Sequence, residues 1–252
     1  MNQGTMNMTD AIGDYESVKG RLLMQAVGTE ENRGRLSDLP HRKMEDMSII
    51  YRVLLDADDR GIASSVVTHD MLKAYGISEE QLYADACVSQ KEHSRVRPLS
   101  AVLAGYGTEI PDNEPTDQML FVATNDRAAF GSGVIAQPGF MEEAKDLLGG
   151  SFFVLPSSIH EVLLLRDDGS MNYGELLHMV KSINFSIVDP AEKLTDNVYH
   201  YDANERVFET AKNYTLRQHG RPSVLKNLED KKEEIAKRKQ RSHTRSTPPP
   251  ER

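Results

Sequence analysis

Ser158, His160 and Glu161 lie almost side by side in the chain, and together they supply the three parts of a hydrolytic relay. In such a relay the hydroxyl attacks, the imidazole takes its proton, and the carboxylate holds the ring in the right tautomer. They belong to Pro156-Ser157-Ser158-Ile159-His160-Glu161, a polar insert between the apolar runs FFVL and VLLL. Polar groups held between two buried segments either satisfy one another or work on a substrate. In an extended chain, alternation puts Ser158 and His160 on one face, roughly 6–7 Å apart, and Glu161 on the other. The motif then lacks its own third member, and a carboxylate such as Asp196 or Asp202 must come from elsewhere. If 156–160 is a hairpin loop, that parity lapses. Nor is this the G-x-S-x-G elbow that presents a nucleophile between strand and helix. The expectation is structural: the serines close a turn by bonding nearby backbone, and His160 is a partly buried, hydrogen-bonded residue.

Other chemistries find less to stand on. The eight histidines show neither H-E-x-x-H nor H-x-H spacing, so no metal site is expected. His200 and His160 approach only if the last hairpin pairs beside the apolar runs. Asp56, Asp58 and Asp59 resemble the start of a calcium loop, but Gly61 is misplaced and a hairpin turn explains them. No Walker or dinucleotide glycine motif occurs, and Phe130-Gly131-Ser132-Gly133 is too short for a phosphate cradle. No cofactor is expected. Tyr199 and Tyr201, at strand spacing, read as packing on one face. Cys87 is the only cysteine, which excludes an intramolecular disulfide, and its helical setting suits an inert, buried thiol.

The net charge of −9 is unevenly spread: from Lys226 to Arg252 there are nine Lys and Arg against five Asp and Glu. An acidic body repels phosphate backbones. Nucleic-acid contact is therefore confined to the tail, through Lys237, Arg238, Lys239 and Arg241, where a solvated helix end is the default. The N-terminus has no basic start or apolar core, and no apolar run approaches the ~20 residues of a membrane span. A cytoplasmic protein without membrane contact is expected.

The elements that must position the insert follow from periodicity and punctuation. Residues 1–14 read as disordered. Tyr15 to Val27 reads as a helical piece leading into a strand, and 29–40 as a polar connector. Met47 to Asp56 and Ile62 to Thr68 form a hairpin. Thr68 caps a short helix closed by Gly76, and Ser78-Glu79-Glu80-Gln81 is a capping box for the next. Past Gln90 the pattern fades into a loop from Gly105 to Pro115. Met119 to Thr124 and Gly133 to Ala136 read as strands, followed by a helix from Gly139 to Leu148. Tyr173 to about Ile183 is a helix capped by Asn172 and Glu175, with one more helical turn at Asp189 to Glu192. Val198 to Asp202 and Arg206 to Thr210 read as a closing hairpin.

Strand–turn–strand–helix thus recurs at 47–76 and 119–149. The order ββα…ββαββα predicts an α+β fold, with mostly antiparallel sheet covered by helices on one side. The α+β domain is expected over 15–211, with sub-lobes at about 15–104 and 116–211, and 212–252 as charged helix and disordered tail.

Five segments in order, PHRKMEDMSIIYRVL, VTHDMLKAYGISEEQLYADA, LFVATNDRAAFGSGVI, FFVLPSSIHEVLLLRDDG and LTDNVYHYD, resemble the bacterial domain-of-unknown-function family numbered 5688, from roughly Tyr15 to Glu209. The Pro156–Glu161 string and the His-Arg after Pro40 are its most specific parts. Thr124-Asn125 fits the family's pattern, whereas Gly131-Ser132-Gly133 departs from its usual gly-ala step. The resemblance implies a cytoplasmic bacterial protein and brings no activity, cofactor or catalytic residue. The leading expectation is a non-enzymatic module that binds another protein, similar to adaptor- and immunity-type folds by analogy alone. A hydrolase or transferase using Ser158 and His160, and nucleic-acid contact through the tail, are the alternatives.

Overall fold

The computed structural model describes residues 13–58, 61–107, 119–156 and 158–220. The expected disordered start over residues 1–12, most of the loop up to Pro115, Ser157, and the basic tail with Lys237, Arg238, Lys239 and Arg241 lie outside them. The chain forms two compact units, Met1–Lys212 and Asn213–Arg252. The described part of the second is a helical segment in which the Arg217 guanidinium sits over the Tyr214 ring.

The first half contains α1 (Tyr15–Val18), β1 (Leu22–Gly28), α2 (Arg33–Leu36), β2 (His41–Met44), β3 (Met47–Asp58), β4 (Gly61–Val66), α3 (His69–Tyr75) and α4 (Glu79–His93). β3 is the spine of a four-stranded antiparallel sheet. It pairs with β1 from Met47 to Val53, while β2 and β4 share its other edge. The caps form at the expected residues: Thr68 Oγ1 accepts from Met71 N, Ser78 Oγ from Gln81 N, and Gly76 ends α3 at φ +67°. Gln81 turns its own amide to Asp85 instead of back to the cap.

The second half contains β5 (Ser94–Pro98), α5 (Leu99–Gly105), β6 (Leu120–Asn125), a 3₁₀ segment at Gly131–Ala136, α6 (Phe140–Leu148), β7 (Phe152–Leu155), β8 (Val162–Arg166), α7 (Tyr173–Ser186), β9 (Tyr199–Asp202), β10 (Val207–Thr210) and α8 (Ala211–Gly220). Its six strands run in the order β10-β9-β7-β8-β6-β5. Every pairing described in both sheets is antiparallel, as the α+β expectation requires. Asn172 and Glu175 form the predicted reciprocal capping box of α7.

Burial explains why β7 and β8 read as continuous apolar runs. Phe152, Val154 and Leu164 enter the main core with Met24, Tyr51 and Leu82 from the first half. Phe153, Leu155 and Leu165 face the other way, against Leu176 and Val180 of α7. A strand covered on both faces has no polar alternation to show.

Two expectations are corrected. Gly133–Ala136 is 3₁₀ helix, not strand, so the strand–turn–strand–helix scheme does not recur at 119–149. Its glycines press the backbone against other chain: a Cβ at Gly133 would collide with the Met24 carbonyl, and one at Gly131 with Thr124 and Asn125. The predicted helical turn at Asp189–Glu192 is a non-helical turn, in which Asp189 Oδ1 accepts from Ala191 N. β2, β5 and α5 carried no clear sequence signal. β5 is an edge strand with exposed Arg95 and Arg97 and a terminal proline, residues that blunt an edge and hide a strand's periodicity.

Candidate functional site

β7 ends at Leu155 and β8 begins at Val162, so residues 156–161 form the hairpin loop, and strand parity does not govern them. Ser158 N donates to Glu161 O, and His160 N donates to Ser158 Oγ at 3.0 Å. The Ser158 hydroxyl in turn donates to Glu161 Oε1 at 3.3 Å. The loop's carbonyls are bonded outward. His160 O accepts from Thr124 Oγ1 and Gly131 N, and Ile159 O accepts from Ser132 Oγ. Ser132, fully buried, also accepts from Ala26 N on the outer edge of β1. One hydroxyl therefore joins the insert to β1 of the first sheet.

The imidazole is engaged elsewhere. Phe130 N, which can only donate, points at His160 Nδ1 at 3.1 Å, so in the neutral ring the proton sits on Nε2. Nε2 faces Glu192 Oε1 at 3.3 Å. Both ring nitrogens are occupied, and the Ser158 hydroxyl is bonded to Glu161 and to backbone instead. Asp196 binds Asn184 and Lys193, and Asp202 accepts from the backbone of Asn204. Glu192, not either of these, is the carboxylate at the ring. Its position could be found only once the turn at 189–192 had been folded against the loop, through Ile159 N and Glu192 O. His200 does not join His160; it is buried and bonds Asp167 through Nε2 at 2.9 Å. Among the described residues no three His, Cys, Asp or Glu side chains converge as metal ligands.

The His160–Phe130 bond has a structural consequence. Phe130 adopts φ +55°, a left-handed conformation that a bulky residue takes at a cost of about 1–3 kcal/mol. Its ring lies against the imidazole, with centroids 5.3 Å apart, and the Arg52 guanidinium sits 4.0 Å over it. Arg52 Nε donates to Ser64 Oγ at 3.0 Å and Nη1 to Gln25 Oε1 at 3.1 Å. Burial, and after it the Arg35 guanidinium, hold Arg52 below the ordinary arginine pKa. Nothing in the sequence around Arg52 singles it out, because its surroundings come from four separate segments.

Tyr199, Tyr201 and Cys87, also singled out by the sequence, lie in or against the main core. Tyr199 and Tyr201 pack in the main core, with their hydroxyls bonded to Asp46 and Glu142. Burial raises the Cys87 thiol above its ordinary pKa.

A second candidate lies on the outer face of the six-stranded sheet. A cavity of about 510 Å³ opens between that face and α7, lined by side chains that include Leu120, Leu155, Leu163, Met171, Met179 and Ile183. Pro156 of the insert reaches its wall, and Asn184 is the one polar side chain among the described residues that line it. The Asn184 amide is committed to Thr195 O and Asp196 Oδ1, each at 2.9 Å. Met179 and Ile183 remain 38% and 37% exposed at the rim. A larger hollow of about 870 Å³ beside Asp38, His69 and Glu79 is open and of mixed charge.

No helix among the described residues is long and apolar enough to cross a membrane. Comparison with curated proteins and with solved structures finds no match. A family model matches residues 1–203, and the chain belongs to the family of unknown function DUF5688.

Proposed function

We propose that this chain is a cytoplasmic, non-enzymatic interaction module of adaptor or immunity type, which receives the apolar face of a partner protein's helix in the groove beneath α7. The observation that carries this reading is the groove itself, an apolar cavity of about 510 Å³ whose rim keeps Met179 and Ile183 partly exposed. Helix-in-groove recognition uses such a surface, with anchors spaced along one helical face. Three methionines, Met119, Met171 and Met179, line it, and their flexible thioethers can repack around a helix. A free fatty acid fits less well, since no cation among the described residues lines the cavity to hold its carboxylate.

The reading is tested with a photo-cross-linking side chain at Met179 in the intact protein, expressed in its native host, with Val88 (67% exposed) as the control position. Cross-links from 179 alone, mapping to an apolar stripe of a partner helix and lost in Ile183→Glu, are the expected result. Cross-links to lipid or small molecules, or ones indifferent to Ile183→Glu, would refute it.

A further inference from the structure

We propose that Arg52, with Arg35 beside it, forms a binding site for a phosphoryl group, independent of the apolar groove. Acidic residues outnumber basic ones 39 to 30 in this chain, and Arg33, Arg95 and Arg206 each have a carboxylate within ion-pair distance. Arg52 is half-buried in the face of the first sheet, yet among the described residues its guanidinium bonds the neutral oxygens of Ser64 and Gln25. A half-buried guanidinium without a counter-ion is costly, and a bound anion removes that cost.

The geometry suits a ligand. An arginine carries five N–H donors. Ser64 takes Nε–H and Gln25 takes one from Nη1, so the Nη2 edge remains available. The Phe130 ring supports the guanidinium plane from one face at 4.0 Å. Phe130 is itself held at its strained φ by the bond to His160 and by its ring contact with the imidazole. A fork whose plane and rotation are already set loses little entropy on gripping an oxyanion. Arg52, Ser64 and Phe130 all keep partial exposure, so the edge can be reached.

A second positive charge favours phosphate over carboxylate. Leu36 of α2 packs with Ile50 and Val66 on the same face of the sheet, which brings the preceding Arg35 near Arg52. Among the described residues Arg35 makes one long side-chain bond, to Asn32 Oδ1 at 3.4 Å. A dianion between two guanidiniums cancels their mutual repulsion; a monoanion does so only in part.

The test is titration calorimetry of the full chain with inorganic phosphate, against acetate and chloride at matched ionic strength. Phosphate is expected to bind and the other two are not. Arg52→Gln and Arg52→Lys, the latter keeping charge without the fork, should each weaken phosphate by at least ~10-fold. Arg35→Gln, at an exposed position that leaves the fold intact, should weaken it several-fold. A phosphoserine peptide separates the sources: affinity equal to phosphate assigns the site to the phosphoryl group alone, and tighter binding assigns it to a modified partner. No phosphate binding, equal binding of acetate, or binding unchanged in both Arg52→Gln and Arg35→Gln would overturn the proposal.

Discussion

His160 gives its Nδ1 lone pair to the Phe130 N–H, and that N–H lies in a positive-φ turn where no strand neighbour is at hand to accept it. Removing the ring strands a half-buried donor and takes away the aromatic surface behind Phe130. His160→Ala is expected to cost about 1–3 kcal/mol in urea unfolding, and His160→Asn, which can still place an acceptor, less. Ser158 stands in the same relation to the backbone N–H of His160. Equal stability of wild type and His160→Ala would show that the ring does not hold the turn. The side chains that looked most like a relay thus bond different partners: Ser158 bonds Glu161 and the His160 backbone, and His160 bonds Phe130 and faces Glu192.

At the scale of elements, the Gly131–Ala136 segment is the part that the rest of the domain closes on. Ser132 supplies the polar bonds, and the two glycines allow the approach, since each lacks a Cβ where neighbouring backbone already sits. Gly133→Ala must push Met24 and β1 aside, and a loss of about 1–3 kcal/mol is expected. Gly20→Ala is the control, because nothing lies within 4 Å of its added Cβ; it should shift stability by less than about 0.5 kcal/mol. Comparable losses at the two positions, measured by denaturant midpoint, would remove the close-packing account.

For the molecule as a whole, part of the stability toward acid is expected to rest on the half-buried carboxylate of Asp167. The hydrogen bond from His200 holds the Asp167 carboxyl below its ordinary pKa. A carboxyl whose folded pKa is depressed stabilises the fold above its unfolded value, about 3.9, and loses that contribution as pH falls through the folded one. Asp167→Asn should therefore be less stable than wild type near neutrality, by roughly 1–3 kcal/mol. The gap should close progressively below about pH 3.9. A gap that stays constant down to pH 2 would mean that the carboxylate's charge is not what His200 binds.

The amino-acid sequence by itself determined what depends on neighbours along the chain. Thr68, Ser78 and Asn172 as caps, Gly76 and Gly149 as stops, the β3–β4 hairpin and the closing hairpin are all local, set by backbone preferences and by hydrogen bonds across a few residues. It also carried the family: the resemblance read from five segments names the same family whose model matches residues 1–203. Tertiary structure alone decided the rest. Gly131–Ala136 becomes 3₁₀ because β1 and β6 crowd it, β5 forms because β6 offers it an edge, and Glu192 reaches His160 from a different turn. Arg52 meets Gln25, Ser64 and Phe130 only after three strands and a loop have packed. The physical reason is the same in each case: these partners are set by burial and contact between distant segments, for which spacing along the chain holds no signal.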